Sequence, residues 1–255
     1  MKNKVFVITA AGGNGTAIEI LEKPLTRPEY VRRGNELLKR MEPFGAEQAG
    51  FLIPQINHFE MAGGEFCGNA ARSAALLFSE IQQKQKVSFT MSGYKGMVRG
   101  RVKKFSERIY EVECVFENFP IKEKEAKLSN GQKVKIVDLE GIIHVIIEAP
   151  FPKEKEVYQN THKEITKELN LERRSAVGVI WIEKTNNTVK MHPVVWVREV
   201  DTFFYETSCG SGAIAVGKVT GICSIIQPTG KEIKVRFTPE AVILKSEMEV
   251  VYIGD

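Results

Sequence analysis

The sequence predicts an α/β chain of the α+β kind. Two pseudo-symmetric domains are expected, each a mostly antiparallel sheet wrapped around one central helix. Three observations predict it. Short β-branched or aromatic runs between turn residues outnumber helical patterns along the 255 residues. Two segments look like versions of each other: Phe66-Cys67-Gly68-Asn69-Ala70-Ala71-Arg72-Ser73-Ala74-Ala75-Leu76-Leu77-Phe78 and Ser208-Cys209-Gly210-Ser211-Gly212-Ala213-Ile214-Ala215-Val216-Gly217. Each has a cysteine, a glycine, a small polar residue and then a small-residue apolar run that reads as a buried helix. One lies in each half, as a duplicated unit requires.

The elements follow in order. Lys4 to Ile8, Ala17 to Leu21, Gly50 to Pro54 and Val87 to Met91 read as strands, and Met97 to Val102 and Ile109 to Val115 continue with alternation. A helix fits Arg27 to Glu42, with Pro28 near its start and Pro43 as its stop. Cys67 to Gln83 is the first buried helix. In the second half Lys133 to Leu139, Ile142 to Glu148, Val177 to Glu183, Val189 to Arg198 and Phe203 to Tyr205 are strands, and Glu154 to Leu171 holds an amphipathic helix. Cys209 to Gly221 is the second buried helix. Ile233 to Phe237, Ala241 to Leu244 and Met248 to Ile253 close the chain as strands. The Asn118-Phe119-Pro120 region, ahead of a mixed-charge stretch, divides a first domain (1–118) from a second (119–245).

Composition excludes several classes. Hydrophobic content of 43% and charged content of 27% are those of a globular domain. Net charge is +4, but the lysines sit in mixed runs such as Lys122-Glu123-Lys124-Glu125, and no basic patch interleaves with aromatics. Nucleic acid is therefore not an expected partner. The apolar run near Met1 is too short for a secretory signal, and no segment approaches a membrane span, so a cytoplasmic protein with no membrane partner is expected. The four cysteines, Cys67, Cys114, Cys209 and Cys223, form no CxxC pair, so no metal site is expected. Cys114 and Cys223 read as strand or core residues.

The chemistry starts at the two helix ends. The first N–H groups of a helix lack intrahelical partners and carry partial positive charge, so they stabilise a thiolate and bind carboxylates. A cysteine there is expected to have a lowered pKa. Glycine after it lets a ligand approach the backbone. Two such units hold two thiols on opposite faces of one substrate carbon.

These residues resemble the diaminopimelate epimerase family of cofactor-independent amino-acid racemases and epimerases. Gly13-Asn14, Gly45-Ala46-Glu47-Gln48, Cys67-Gly68-Asn69-Ala70-Ala71-Arg72 and Cys209-Gly210-Ser211-Gly212 carry the resemblance, which spans the chain. It implies two α/β domains with the active site between them, and a last strand (246–255) returning to the first domain. It implies that one cysteine removes the α-proton as thiolate and the other delivers a proton from the opposite face, with no cofactor. Gly68, Asn69, Gly210 and Ser211 would hold the substrate carboxylate, with Asn14 and Gln48 beside them. His144 resembles the family's active-site histidine, and Glu199 its glutamate near the α-amino group. The expected partner is a small amino-acid substrate, with a homodimer as one compatible assembly.

Departures from the pattern bear on the substrate. The epimerases read the far end of diaminopimelate with an arginine and asparagines; Val200, Ile142, Ala176 and Glu60 stand at those places. A second carboxylate would be left unpaired. Ala62-Gly63-Gly64-Glu65-Phe66-Cys67-Gly68-Asn69, Glu47-Gln48-Ala49-Gly50-Phe51 and Tyr205-Glu206-Thr207-Ser208-Cys209 are instead similar to the histidine racemases of opine metallophore synthesis. Glu47 and Glu60 add negative charge suited to an imidazole N–H or an ammonium. Diaminopimelate epimerase itself, and a non-racemising isomerase of the related phenazine-biosynthesis type, are the alternatives.

Overall fold

The computed structural model describes residues 4–254. Residues 1–3 and 255, the outer ends of the first expected domain, lie outside the described residues. Among the described residues fifteen strands form one hydrogen-bonded path, a sixteenth (Thr202–Tyr205) pairs onto it from the side, and four α-helices are set against the sheet. The first half contributes β1 (Val5–Ala10), β2 (Gly13–Ile20), β3 (Ala46–Ile53), β4 (His58–Met61), β5 (Lys86–Met91), β6 (Tyr94–Lys104) and β7 (Ile109–Glu117), paired in that order. The second contributes β8 (Lys122–Lys127), β9 (Lys133–Asp138), β10 (Ile143–Glu148), β11 (Ala176–Lys184), β12 (Val189–Val197), β13 (Thr202–Tyr205), β14 (Ser224–Ile226) and β15 (Glu232–Phe237). The last strand, β16 (Ala241–Gly254), joins them. It pairs antiparallel with β7, with β15 at its start and with β1 at its end. Strands β1–β7 and β16 therefore close into a barrel-like sheet, which leaves no free edge in that half.

Helix α1 (Arg27–Met41) lies outside the closed sheet against β2 and β3. Its start is fixed by Glu29, whose carboxylate accepts from Thr26 N–H (2.8 Å) and from the Thr26 hydroxyl (2.7 Å). Helix α2 (Gly68–Gln82) has twelve buried residues and packs on β1, β2, β4, β5, β6, β7 and β16. Its alanines and serines leave a thin helix that these strands can approach closely. Helix α3 (Lys155–Glu168) covers the outer face of β11 and β12, while α4 (Gly210–Thr220) packs on β9–β12 and β14–β16. Covered on both faces, β11 reads as an unbroken buried run, whereas β5 and β7 alternate.

Three expectations change. The charged stretch after Asn118 is not a free link: Lys122–Lys127 is an edge strand paired with β9. Phe119 is buried, its ring 4.8 Å from Phe66 and 5.5 Å from Phe116, so the crossing point is anchored in the core. The two closing strands are one, because Ser246 stays buried and Lys245 and Glu247 face outward in continuous register with β7. β4 and β14, only four and three residues long, were not anticipated.

Candidate active site

Cys67 is the N-cap of α2 and Cys209 the N-cap of α4, both in extended conformation. Each sulfur accepts the N–H three residues on: Ala70 to Cys67 at 3.4 Å, Gly212 to Cys209 at 3.3 Å. The Cys67 thiol donates to Gln48 Oε1 (3.1 Å), and Gln48 Nε2 donates to Thr16 (2.8 Å). Cys209 N–H donates to Gln227 Oε1 (2.8 Å).

The two first turns abut. A Cβ on Gly68 would stand 2.9 Å from the carbonyl carbon of Gly210, and one on Gly210 would stand 2.8 Å from Asn69 N. Only glycine fits either place. Asn69 Nδ2 donates to Ser208 O (2.9 Å), tying α2 to the residue before Cys209. Arg72, fully buried, donates from Nη2 to Asn69 Oδ1.

His144, on β10, places Nε2 3.0 Å from Ser211 Oγ, and that hydroxyl lies 3.6 Å from Cys209 Sγ. The imidazole fits because its neighbour on β11 is Gly178, where a Cβ would stand 2.2 Å from Nδ1. Burial pushes His144 down to about 3, so the ring is neutral at physiological pH. Ser211 is thus bracketed by a neutral imidazole and a thiol.

The expected lowering of the thiol pKa values does not occur in this closed arrangement. Burial pushes Cys67 up to about 12 and raises Cys209 well above a free thiol, with Glu206 as the next cause in both. The helix N–H groups act in the other direction, but desolvation outweighs them. Both sulfurs are therefore protonated here.

A narrow cleft between the halves runs past this centre. It is lined by Glu47, Gln48, Glu65 and Ala62-Gly63 from one side and Val195, Val197, Val200, Phe204 and Glu206 from the other, with Asn35 and Leu38 of α1 at its rim. Glu47, Glu65 and Glu206 each bury one carboxylate oxygen with no hydrogen-bond partner. Burial raises Glu47, pushes Glu65 up to about 7 and pushes Glu206 up to about 8. Thr207 donates to Glu47 Oε1 (2.9 Å) and accepts from Asn14 N–H (2.9 Å), so Glu47 is held across the cleft. Asn14 takes a left-handed φ of 45° to do this. Among the described residues no three His, Cys, Asp or Glu are grouped to hold a metal ion.

Of the residues singled out in the sequence, Cys67, Cys209, Gly68, Asn69, Gly210, Ser211, His144, Asn14, Glu47 and Gln48 come together. Glu199 does not. It sits in the turn before β13, 43% exposed and paired with Arg198, and the glutamate facing Cys209 is Glu206. Glu60 also differs: Arg27 pairs with it (2.5 Å) and His58 Nε2 lies 2.8 Å from its other oxygen, while Arg27 grips the carbonyls of Met61 and Ala62. Its role is to pin the segment before Glu65. Ile142 and Ala176 are core residues and do not line the cleft, whereas Val200 does. Glu65 and Glu206 were missed as site residues. A signal existed, since a glutamate precedes each cysteine, by two residues in one unit and by three in the other.

The chain as a whole is similar to known proteins in sequence and in fold. A histidine racemase of Fusobacterium nucleatum subsp. nucleatum is 31% identical over 212 residues, 76% of this chain and 75% of that one. A solved structure described as a predicted epimerase, from Pseudomonas aeruginosa, superposes with a TM-score of 0.67 at 12% identity, covering 100% of this chain and 99% of that one. A phenazine biosynthesis protein of the PhzF family from Bacillus anthracis gives 0.63 at 14% identity, with 100% and 99% covered. At such identities the two structures speak to the fold alone. The family described as the histidine racemase CntK N-terminal domain matches residues 7–243, and the chain belongs to it and is an isomerase of the racemase type.

Proposed function

We propose that the chain racemises free histidine by a two-base mechanism with Cys67 and Cys209 as acid and base. The observation that carries this reading is the pair of cysteine-capped helix N-termini butted together at Gly68 and Gly210. In that arrangement the free N–H groups of Gly68, Asn69, Gly210 and Ser211 converge on one carboxylate. One cysteine, as thiolate, takes the α-proton. The other, as thiol, delivers its proton to the opposite face, and the roles exchange in the reverse direction. The carbanion formed between is stabilised by the two helix ends in a site closed to water. Ser211, backed by neutral His144, donates its hydroxyl to Cys209 when that residue is the thiolate.

The cleft favours a cationic amino acid. Glu47, Glu65 and Glu206 offer carboxylate oxygens to the α-ammonium and to a side-chain N–H, and Val195, Val197, Val200 and Phe204 supply an apolar wall for a ring. Among the described residues no Lys or Arg lines the cleft to meet a second carboxylate of diaminopimelate. The named activity of the Fusobacterium relative supports histidine. The two halves, 1–118 with 246–255 and 119–245, act on this reading as pseudo-symmetric domains, each wound around its own cysteine-capped helix, that supply one acid–base group each.

A second reading is a non-racemising isomerase, for which the phenazine-type name of one structural neighbour is the motive. Incubating L- and D-histidine separately with the protein in D2O, with chiral chromatography and mass spectrometry, decides between them. Racemisation predicts that each enantiomer becomes the other with deuterium at the α-carbon. Failure to convert either enantiomer overturns the histidine assignment. Conversion of LL-diaminopimelate in its place overturns the substrate class.

A further inference from the structure

Arg72 is the one fully buried guanidinium in the molecule's core, and it lacks a carboxylate partner among the described residues. Its Nε and Nη1 have no hydrogen-bond partner, and Nη2 donates to Asn69 Oδ1. A buried cation left unpaired is costly, so its retention calls for an anion present at some stage of the cycle. Helical side chains lean toward the helix N-terminus, which directs Arg72 back toward the first turn of α2. There Asn69 passes the contact on to Ser208 O at the start of α4.

We infer that Arg72 is a positioning residue for the proposed reaction: its guanidinium is the shared counter-charge for the single negative charge that moves between Cys67 and Cys209. This rests on the two-cysteine reading above. The balance supports a shared role. Before reaction one sulfur is a thiolate and the other a thiol. The thiolate takes the substrate's α-proton and becomes a thiol; the other thiol gives its proton to the carbanion and becomes the thiolate. The pair carries one negative charge before and after, on alternate sulfurs. A fixed cation linked to the first turns of both helices serves either state, and therefore either direction.

The other groups around the sulfurs cannot fill this place. Glu65 and Glu206 are acids and oppose a thiolate at both cysteines or at one. Glu47 is an acid held by Thr207, and His144 is neutral. Cys114, on β7 with its thiol toward Ala71 O, is the remaining titratable neighbour of Arg72 and is not among the residues that line the cleft. Burial lowers Arg72 only to about 10, so it stays a cation at neutral pH.

The test reads the thiols directly and so does not depend on the substrate being histidine. Arg72→Met removes the charge at similar length; Arg72→Lys keeps it. Circular dichroism reports folding, and iodoacetamide alkylation across a pH series, with peptide mass mapping, reports each cysteine. The Met variant is expected to alkylate at both Cys67 and Cys209 roughly 10-fold more slowly near neutrality, with Lys restoring most of the rate. The loss in turnover is expected in kcat, with KM within about threefold of the starting protein. Equal thiol reactivity in the Met variant and the unaltered protein overturns the inference, as does an equal loss in Met and Lys, which would mark a role in shape alone. A second measurement keeps Arg72 in place. In Cys67→Ser the remaining Cys209 no longer shares the cation, and the same holds for Cys67 in Cys209→Ser. Each lone thiol is expected to ionise at lower pH than in the unaltered protein. Unchanged midpoints in both serine variants overturn the shared counter-charge even where neither Arg72 variant folds.

Discussion

A thiol at a helix N-terminus is commonly expected to be acidic, yet Cys67 and Cys209 show burial overriding the dipole. The thiolate form therefore has to be produced when substrate enters, and Glu206, whose charge opposes a thiolate at Cys209 unless a cation pairs with it, is the group the substrate has to answer first. It is pushed up to about 8 by burial and couples to Cys209. A neutral carboxyl there becomes a carboxylate once an ammonium pairs with it, without a charge left alone in the cleft. Glu206→Gln removes that response, and the expected outcome is a fall in kcat of roughly 100-fold with retained folding. A kcat within about threefold of the starting protein would remove Glu206 from the mechanism. The cysteines themselves give a sharper result. Cys67→Ser and Cys209→Ser are each expected to abolish racemisation in both directions, while each variant still exchanges the α-proton of one enantiomer, because one base can abstract without the opposite acid. Proton NMR in D2O with each enantiomer reads this. Racemisation at the unaltered rate in either variant contradicts the two-base assignment.

Between the elements, the decisive contact is the meeting of α2 and α4. Gly210→Ala would place a methyl group 2.8 Å from Asn69 N and from the carbonyl carbon of Gly68, atoms that cannot swing aside as a flexible side chain can. The helices must separate by some tenths of an ångström, and the carboxylate cradle widens with them. The expected outcome is destabilisation of about 1–3 kcal/mol and a larger loss of activity than of stability. Thermal melts and turnover, measured together, check it; a fully active, equally stable Gly210→Ala would show that the helix ends are not held in contact. The repeated cysteine–glycine motif made this contact legible in the sequence, since two helix starts with the same residues at the same places suggest one shared ligand. The glutamates were less legible. Glu65 and Glu206 stand in chain segments outside any strand or helix, and the inward turn of each depends on how the halves pack. Glu60 was misjudged because nothing in the local sequence announces that Arg27, thirty-three residues earlier, reaches it. β8 went unseen for a different reason. An edge strand draws its pairing from the backbone, and alternating Lys and Glu, which guard an exposed edge, carry no apolar signal.

At the scale of the molecule, the closed seam of β16 and the cleft between the halves make stability depend on pH in a definite direction. Glu65 and Glu206 have folded pKa values of about 7 and about 8, above the ordinary 4.5 of an exposed glutamate. Below 4.5 both folded and unfolded chains hold these protons, and the stability they allow is fully present. As pH rises the unfolded chain releases them first, so stability falls until the folded groups ionise in turn. Two buried histidines act oppositely: His144 is pushed down to about 3 and His162 to about 4, so their contribution is present above 6.5 and lost as pH falls. The two effects offset one another below 6.5, and the glutamates act alone between 6.5 and 8. Across that window the ligand-free protein is expected to lose about 2 kcal/mol, seen as a fall of several degrees in melting temperature. Glu206→Gln should flatten most of this slope, and Glu65→Gln the part nearest neutrality. Saturating histidine should flatten it too, since a bound ammonium makes the ionised carboxylates the favoured form. Thermal melts at stepped pH, with and without histidine, carry the comparison. A melting temperature that rises from pH 6.5 to 8 in the ligand-free protein would mean that these carboxyls are already ionised in the cleft, so that the substrate ammonium meets a carboxylate formed before it binds and not one formed by its binding.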